Sequence, residues 1–104
     1  MPPIQVTVSW PAGAAGPTVD KDPIDVPRGA GATVIRWVCG DNVSRLQISG
    51  LDGTVFSPAA SQGMVPSFST TDANREAGTY SYTLAATQTS GDSTAGDPRI
   101  RNGG

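Results

Sequence analysis

Three aspartates stand close together in a polar stretch of the chain, at Asp20, Asp22 and Asp25. Carboxylate oxygens are ligands that Ca²⁺ prefers, so this spacing makes the three side chains candidate calcium ligands. A calcium loop of the EF-hand kind also has a central glycine and a terminal glutamate, and neither accompanies these residues. The sequence therefore favours a solvated acidic loop, and we predict no bound metal and no other cofactor.

The chain contains one cysteine, Cys39, and no histidine. A nucleophilic thiol needs a base beside it, and a serine triad or a common zinc site needs histidine. A single cysteine also forms neither an intramolecular disulfide nor a redox pair. We therefore predict that the protein has no catalytic residues and is not an enzyme, and that Cys39 is a small apolar residue of the core.

Two further positions are candidates for binding or conjugation. Trp10 lies beside Pro11 at a strand end, where an exposed indole could stack on a sugar ring, although core packing is the favoured role. The chain ends with Gly103-Gly104, the kind of terminus that ubiquitin-like modifiers present for adenylation. Those modifiers have a central helix, and no helical pattern occurs here, so a frayed terminus is the favoured interpretation of Gly104.

Charge and composition narrow the classes of partner. The formal net charge is −2, and only 15% of the residues are charged. No basic patch of the kind that a phosphate backbone requires is present, so nucleic acid is not an expected partner. No run of about 18 apolar residues occurs, so membrane insertion is not expected. The absence of a signal-peptide pattern predicts a cytoplasmic protein as the sequence is written, or a secreted or surface protein if an export signal has been removed.

The apolar pattern indicates short strands joined by many turns. The 13 glycines and 9 prolines interrupt every stretch that is long enough for an extended helix. The longest clear strand signal covers residues 78–87, where Tyr80, Tyr82 and Leu84 alternate with polar residues. The residues just before it, 72–77, are predicted to form one short helical turn capped by Asp72.

A second strong strand signal covers residues 32–39, with Trp37 on its apolar face. We predict Trp37 at the centre of the core, because one indole buries more apolar area than any other side chain in the sequence. A third strand at residues 44–49 directs its aliphatic side chains to the same core. The predicted core consists of Trp37, Tyr80, Tyr82, Leu84, Ile35, Leu46 and Ile48.

Three segments together resemble a bacterial immunoglobulin-like β-sandwich domain, over roughly residues 30–88. They are Ala32-Thr33-Val34-Ile35-Arg36-Trp37, then Ser44-Arg45-Leu46-Gln47-Ile48-Ser49-Gly50, then Asp72 through Gly78-Thr79-Tyr80-Ser81-Tyr82. The last is similar to the approach to the late strand that holds the tyrosine corner in that family. The resemblance implies that the Tyr80 hydroxyl bonds to nearby backbone. Tyr82 stands where many members have the second disulfide cysteine, so the family disulfide is absent.

These observations predict an all-β fold, an immunoglobulin-like antiparallel β-sandwich of about seven to eight short strands. Residues 1–104 are expected to form one β-sandwich domain, with flexible segments at 11–19, 89–96 and 101–104. The resemblance implies an adhesion, scaffold or spacer role. The few charges, the absence of catalytic groups and the unpaired edges of such a fold favour a non-catalytic module for protein–protein interaction or self-assembly, with a protein partner or a second copy. The alternatives are a carbohydrate-binding module that uses Trp10 and a protein modifier or carrier that uses Gly104.

Overall fold

The structure is a computed structural model that describes residues 3–103 of the chain. These residues form an all-β fold, as predicted, and contain no helix. The strands are β1 (Ile4–Ser9), β2 (Thr18–Val19), β3 (Ile24–Val26), β4 (Thr33–Cys39), β5 (Val43–Ser49), β6 (Phe56–Ser57), β7 (Ser67–Asp72), β8 (Gly78–Ser81), β9 (Thr83–Gln88), β10 (Ser93–Gly96) and β11 (Arg99–Asn102). They outnumber the predicted strands because several have only two to four residues, too few for alternation to be visible. Residues 3–103 include no helix that is long and apolar enough to span a membrane.

The strands belong to three sheets that share one core. The five-stranded sheet has the order β2-β1-β4-β7-β6, and the two three-stranded sheets have the orders β10-β9-β5 and β3-β11-β8. Most pairs are antiparallel, but β1 pairs with β4 and β3 pairs with β11 in parallel. The expectation of a purely antiparallel sandwich is therefore corrected at these two pairs. In both cases a long connection returns the chain to the same end of the sheet, which parallel pairing requires.

The segment predicted as one strand at residues 78–87 is two strands that belong to different sheets. β8 pairs with β11, whereas β9 pairs with β5 and β10, and Tyr82 lies between them. The Tyr82 N–H donates to the carbonyl of Pro98 at 3.1 Å. Side-chain alternation continues through Tyr82, and so the sequence pattern does not reveal the change of sheet.

The core contains side chains from all three sheets. Trp37 is fully buried, and Tyr80 is half-buried and packs edge-on against Phe56 with ring centroids 5.4 Å apart. The other buried residues of the predicted core are Ile35, Leu46, Ile48, Tyr82 and Leu84. Cys39 is half-buried against this cluster.

One buried hydrogen bond joins the five-stranded sheet to the point where β8 passes into β9. Trp37 Nε1 donates to the Tyr82 hydroxyl at 3.1 Å, and the two rings lie edge to face with centroids 5.3 Å apart. Burial raises the pKa of Tyr82 to about 12, so its hydroxyl stays neutral over the physiological range. The Tyr80 hydroxyl, expected to bond to backbone, makes no hydrogen bond within residues 3–103. The tyrosine hydroxyl that forms a buried hydrogen bond is instead that of Tyr82, which accepts from Trp37.

A second buried polar contact joins β7 to β11. The side chains of Asp72 and Asn102 are both buried, and Asn102 Nδ2 donates to Asp72 Oδ1 at 2.9 Å. The same oxygen accepts from the N–H of Asn74 at 2.8 Å. Residues 72–77 therefore form no helical turn, since Asp72 ends a strand and fixes the following loop. Asp72 Oδ2 and Asn102 Oδ1 are buried and have no hydrogen-bond partner within the described part of the chain.

Burial raises the pKa of Asp72, and the hydrogen bonds from Asn102 and Asn74 oppose that rise. Its neighbours across the sheet are Thr33 on β4 and Phe56 on β6, which carry no charge. Protonation of Oδ2 would make it a donor, and Asn102 Oδ1 is the unpartnered acceptor of the same pair. Burial and the unpartnered Oδ2 therefore make ionisation of Asp72 energetically costly at this site.

Parts of all three segments predicted to be flexible lie in strands. Thr18–Val19 forms β2, Ser93–Gly96 forms β10, and Arg99–Asn102 forms β11. The Gly103 N–H also donates to the carbonyl of Val26 at 2.9 Å. Gly104 lies outside the described residues.

Replacing Tyr82 with phenylalanine should lower the free energy of unfolding by about 1–3 kcal/mol, because the buried indole N–H of Trp37 loses its acceptor. Urea unfolding followed by tryptophan fluorescence measures the change. Tyr80→Phe is the matched control, and it should change stability by less than about 0.5 kcal/mol. Equal losses for the two variants would show that the Trp37–Tyr82 bond does not contribute specifically.

Replacing Asp72 with asparagine should raise the free energy of unfolding at pH 7 by about 1 kcal/mol, because the new amide is neutral and can donate to Asn102. The raised pKa means that protonation stabilises the fold fully below pH 3.8, the ordinary value, and that this contribution is lost as the pH rises through the folded pKa. The gain should therefore shrink in acid.

Chemical denaturation at a series of pH values from about 3 to about 8, which covers the usual range of carboxyl titration, measures this dependence. Asp25→Asn is the control, since it removes an equal charge from an exposed pair with Arg101 and should cost less than about 1 kcal/mol. Lower stability of Asp72→Asn at pH 7 would contradict the expectation that burial of the ionised carboxyl destabilises the fold.

Candidate functional site

The three candidate calcium ligands do not converge in the structure. Asp20 accepts from backbone of β1 at 2.9 Å, and Asp22 Oδ1 accepts from the N–H of Arg99 at 3.1 Å. Asp25 forms an ion pair with Arg101 at 2.7 Å. Each carboxylate therefore binds a different partner, and the three do not face a common site. Within residues 3–103 no three metal-ligating side chains of the His, Cys, Asp and Glu types come together.

Trp10, the candidate sugar-binding residue, is buried in the core with 4% of its surface exposed. Its Nε1 donates to the carbonyl of Ala14 at 3.0 Å, and its own carbonyl accepts from Asn42 Nδ2 at 3.0 Å. The indole face is covered and its polar edge is occupied. In this conformation Trp10 holds the loop after β1 in place and offers no stacking surface to a ligand.

Cys39 and the C-terminal glycines also have structural surroundings. Burial raises the pKa of the Cys39 thiol, which favours the protonated form and opposes its use as a nucleophile. The chain before Gly104 is held in the sheet, because Asn102 is buried in β11 and Gly103 bonds to β3. Gly104 itself, the candidate conjugation residue, lies outside the described residues.

A groove lies between the edges of two sheets, and sequence reasoning did not identify it. Its volume is about 430 Å³. One side is formed by β2 and by Asp22, and the other by β10 and Asp97. The buried side chain of Leu84 adds apolar surface to the lining. This volume is within the range of ordinary ligand sites, about 300–1,000 Å³, although a groove between sheet edges also fits an extended chain.

One side of β10 has no strand beside it within residues 3–103. The Tyr82 N–H donates to the Pro98 carbonyl just beyond the strand, and hydrogen bonds alternate along an antiparallel ladder. Even-numbered residues of β10 therefore bond to β9. Ser93 and Ala95 direct their N–H and C=O groups away from β9, to the free edge. The strand carries neither proline nor charge, the features that usually protect an edge from another strand.

The edge of β2 has the same character over a shorter length. The Asp20 N–H donates to the carbonyl of Thr7 at 3.2 Å, so ladder bonds place this residue against β1. The preceding residue, Val19, then directs its N–H and C=O groups away from β1. Val19 and Ala95 both line the groove, and each has backbone groups on the unpaired side of its own sheet.

The edges of two other strands, β5 and β3, are shielded. The outer edge of β5 exchanges hydrogen bonds of 2.8 and 2.7 Å between Leu46 and Val65. β3 has three residues and is flanked by Pro23 and Pro27, which lack the N–H that a new strand would need. Of these, the edge of β10 is therefore the most open to another strand.

The lining of the groove is acidic. Among the described residues, Asp22 and Asp97 are the two charged ones in the lining, and no lysine or arginine is part of it. The Asp97 side chain accepts from the Thr83 hydroxyl at 3.3 Å, while the nearby Lys21 reaches the Gln5 carbonyl at 2.6 Å. Neither groove carboxylate forms an ion pair within residues 3–103. A positively charged group entering the groove would therefore meet two unneutralised carboxylates.

The sequence does not predict the groove beside β10, because residues 89–96 have the composition of a mobile loop. The one available signal is the uncharged, proline-free run from Ser93 to Gly96, which is compatible with strand pairing but has no large apolar residue. The groove itself arises from contacts between distant parts of the chain. Neither a protein-family model nor a curated protein matches this chain.

Amide hydrogen exchange tests the proposed direction of the backbone groups. We expect the Thr94 amide, bonded to β9, to exchange at least about tenfold more slowly than the Ala95 amide at the free edge. Two-dimensional NMR of the free protein in D₂O measures both rates on one strand. Faster exchange at Thr94 than at Ala95 would mean that the ladder has the opposite alternation.

Proposed function

We propose that this protein is a non-catalytic, immunoglobulin-like β-sandwich module that binds an extended segment of another protein by strand addition. The observation that carries the proposal is the open edge of β10, with its unpaired backbone groups at Ser93 and Ala95. An exposed sheet edge binds an extended peptide through main-chain hydrogen bonds, while adjacent pockets select its side chains. The groove beside β10 supplies such a surface.

The immunoglobulin-like assignment is supported by features of the core. A fully buried tryptophan on β4 contacts a tyrosine on the late part of the chain, and their side chains connect different sheets. The two parallel pairs and the division of the late strand are departures from a simple antiparallel sandwich. In such a module the core holds β10 in position, and the open edge of β10 binds the partner segment.

A partner other than a second copy is favoured by charge. Each chain has a formal net charge of −2, and Asp92 and Asp97 flank β10 on either side. Pairing of two β10 edges would bring four carboxylates to one seam, and like charges across paired strands are destabilising. Self-assembly therefore has an electrostatic cost that pairing with a neutral or basic segment does not have.

Solution mass measured by light scattering at two concentrations, with Cys39 kept reduced, separates these two kinds of partner. We expect a monomer of 10.6 kDa at both concentrations. Growth of mass with concentration would instead show self-assembly, and loss of that growth in Ala95→Pro would place it at the β10 edge.

Strand addition is tested directly with an uncharged peptide of alternating threonine and valine. Its titration into the protein should shift the NMR signals of the Ser93 and Ala95 amides. Ala95→Pro should abolish these shifts at Ser93, because proline removes an outward N–H while the bonds of Thr94 and Gly96 to β9 remain. Ala95→Ser keeps the N–H and is the matched control.

Thermal unfolding establishes that both variants remain folded. Peptide shifts confined to other edges would contradict the assignment to β10. Binding by folded Ala95→Pro that is equal to binding by Ala95→Ser would contradict it as well. A monomer that shows no shift at any edge with millimolar peptide would overturn strand addition as the function.

A further inference from the structure

We propose that the segment accepted by β10 is basic and inserts between β10 and β2, where it joins the two sheets that these strands terminate. This inference depends on the strand-addition function proposed above and specifies the chemistry of its partner. The occupant is an extended segment of another protein, with a lysine or arginine near each end of the part that enters the groove. Three features of the groove support it.

The first feature is the position of two unpaired edges in one groove. β2 is a terminal strand of the five-stranded sheet, and β10 is a terminal strand of the sheet β10-β9-β5. Val19 on β2 and Ala95 on β10 both line the groove and both have outward backbone groups. A strand placed between them has hydrogen-bonding groups on its two sides, so it can satisfy both edges at once.

The second feature is the small size of the side chains along the groove. Ala95 and Gly96 line it, and Gly96 would have open space around an added Cβ. At Gly16 the two walls already meet, because an added Cβ there would lie 3.2 Å from Thr94 Cγ2. Short side chains let another backbone approach closely, while Leu84 supplies apolar contact. The lining therefore suits an extended main chain with modest side chains at its centre.

The third feature is charge. Asp22 Oδ1 accepts from the Arg99 N–H, Asp97 Oδ1 accepts from the Thr83 hydroxyl, and Oδ2 of neither accepts a hydrogen bond within residues 3–103. No lysine or arginine of the described residues lines the groove. These carboxylates favour a lysine or arginine on the incoming strand and disfavour an acidic one.

A second copy of this chain fits the groove poorly. Its one stretch with two closely spaced arginines, Arg99 to Arg101, already forms the central strand of another sheet. The Arg101 side chain is also engaged, because it pairs with Asp25. The open β10 edge of a second copy is flanked by the acidic residues Asp92 and Asp97. The groove is thus complementary to a basic segment from a different protein.

The experiment compares three peptides with the same alternating threonine–valine centre and with lysine, glutamate or no charge at both ends. NMR titration of the full chain at low salt gives each Kd and the position of binding. We expect the lysine-ended peptide to bind about tenfold more tightly than the glutamate-ended one. It should shift the amide signals of Val19 and Ala95 together, with matched titration curves.

The double variant Asp22→Asn/Asp97→Asn tests the role of the carboxylates. Asparagine keeps the Oδ1 acceptors, so the local backbone is preserved, while the difference between the lysine-ended and glutamate-ended peptides should fall to less than about threefold. Asp41→Asn/Asp52→Asn is the control, because it changes the net charge equally at exposed positions outside the groove. That variant should retain most of the difference.

The outcomes separate this inference from the function on which it depends. Equal affinity for all three peptides, with shifts at Ala95 but not at Val19, would overturn the basic bridging strand and leave strand addition at β10 intact. An equal loss of discrimination in both double variants would also overturn it, because only the overall charge would then matter. No binding by any peptide would overturn both proposals.

Discussion

The hydrogen bond between Trp37 and Tyr82 holds together parts of the molecule that backbone pairing leaves separate. Trp37 lies in the middle of the five-stranded sheet, and Tyr82 lies between two strands that belong to the other two sheets. A sheet holds its own strands by ladder bonds, but the contact between sheets depends on side chains. The indole donates its one polar hydrogen to a hydroxyl that burial keeps neutral. This bond fixes one relative position of the rings, whereas apolar packing alone tolerates several.

The Asp72–Asn102 pair connects sheets by a different kind of interaction. It joins β7 to β11 deep in the molecule, and two of its oxygens have no hydrogen-bond partner among the described residues. A buried polar contact of this sort contributes little net stability when it is incompletely bonded. A shift in the register of β11 would separate the buried Asp72 and Asn102 side chains and break their hydrogen bond, so the pair favours the observed register. The sheets are thus connected by two buried polar contacts. One joins aromatic side chains in the core, and the other joins a carboxyl and an amide at the last strand.

The sequence predicts the fold class well and the topology incompletely. Alternation and the abundance of glycine and proline indicate an all-β chain, which the structure confirms. Alternation records only which face a side chain occupies, so it passes through Tyr82 without showing that the chain leaves one sheet for another. It also says nothing about which strand lies beside which. The parallel pairs of β1 with β4 and of β3 with β11 depend on that missing information.

The groove was beyond prediction for a related reason. Chemistry-bearing residues drew attention to Asp20, Asp22 and Asp25 as a group, but only Asp22 lines the groove, together with the distant Asp97. The groove is open because backbone groups at Val19 and Ala95 are unpaired. Almost every residue type carries the same backbone groups, so the sequence does not show which of them lack a partner. A sequence shows where strand formation is blocked, by Pro23 and Pro27 for example. Where an edge is left uncovered depends on the whole arrangement of strands.

The place of β11 in its sheet has a consequence for the order in which the protein can fold. β11 is the last strand of the described chain, yet it is the central strand between β3 and β8, and these two pair with each other nowhere. About 70 residues, more than half of the chain, separate β3 from β11. During synthesis all of them are made after β3 and before its partner strand exists. Its apolar residues Ile24 and Val26 stay without their final cover for that time. Closure of such a distant pairing is entropically slow, so this sheet is expected to form late and the five-stranded sheet to form before it.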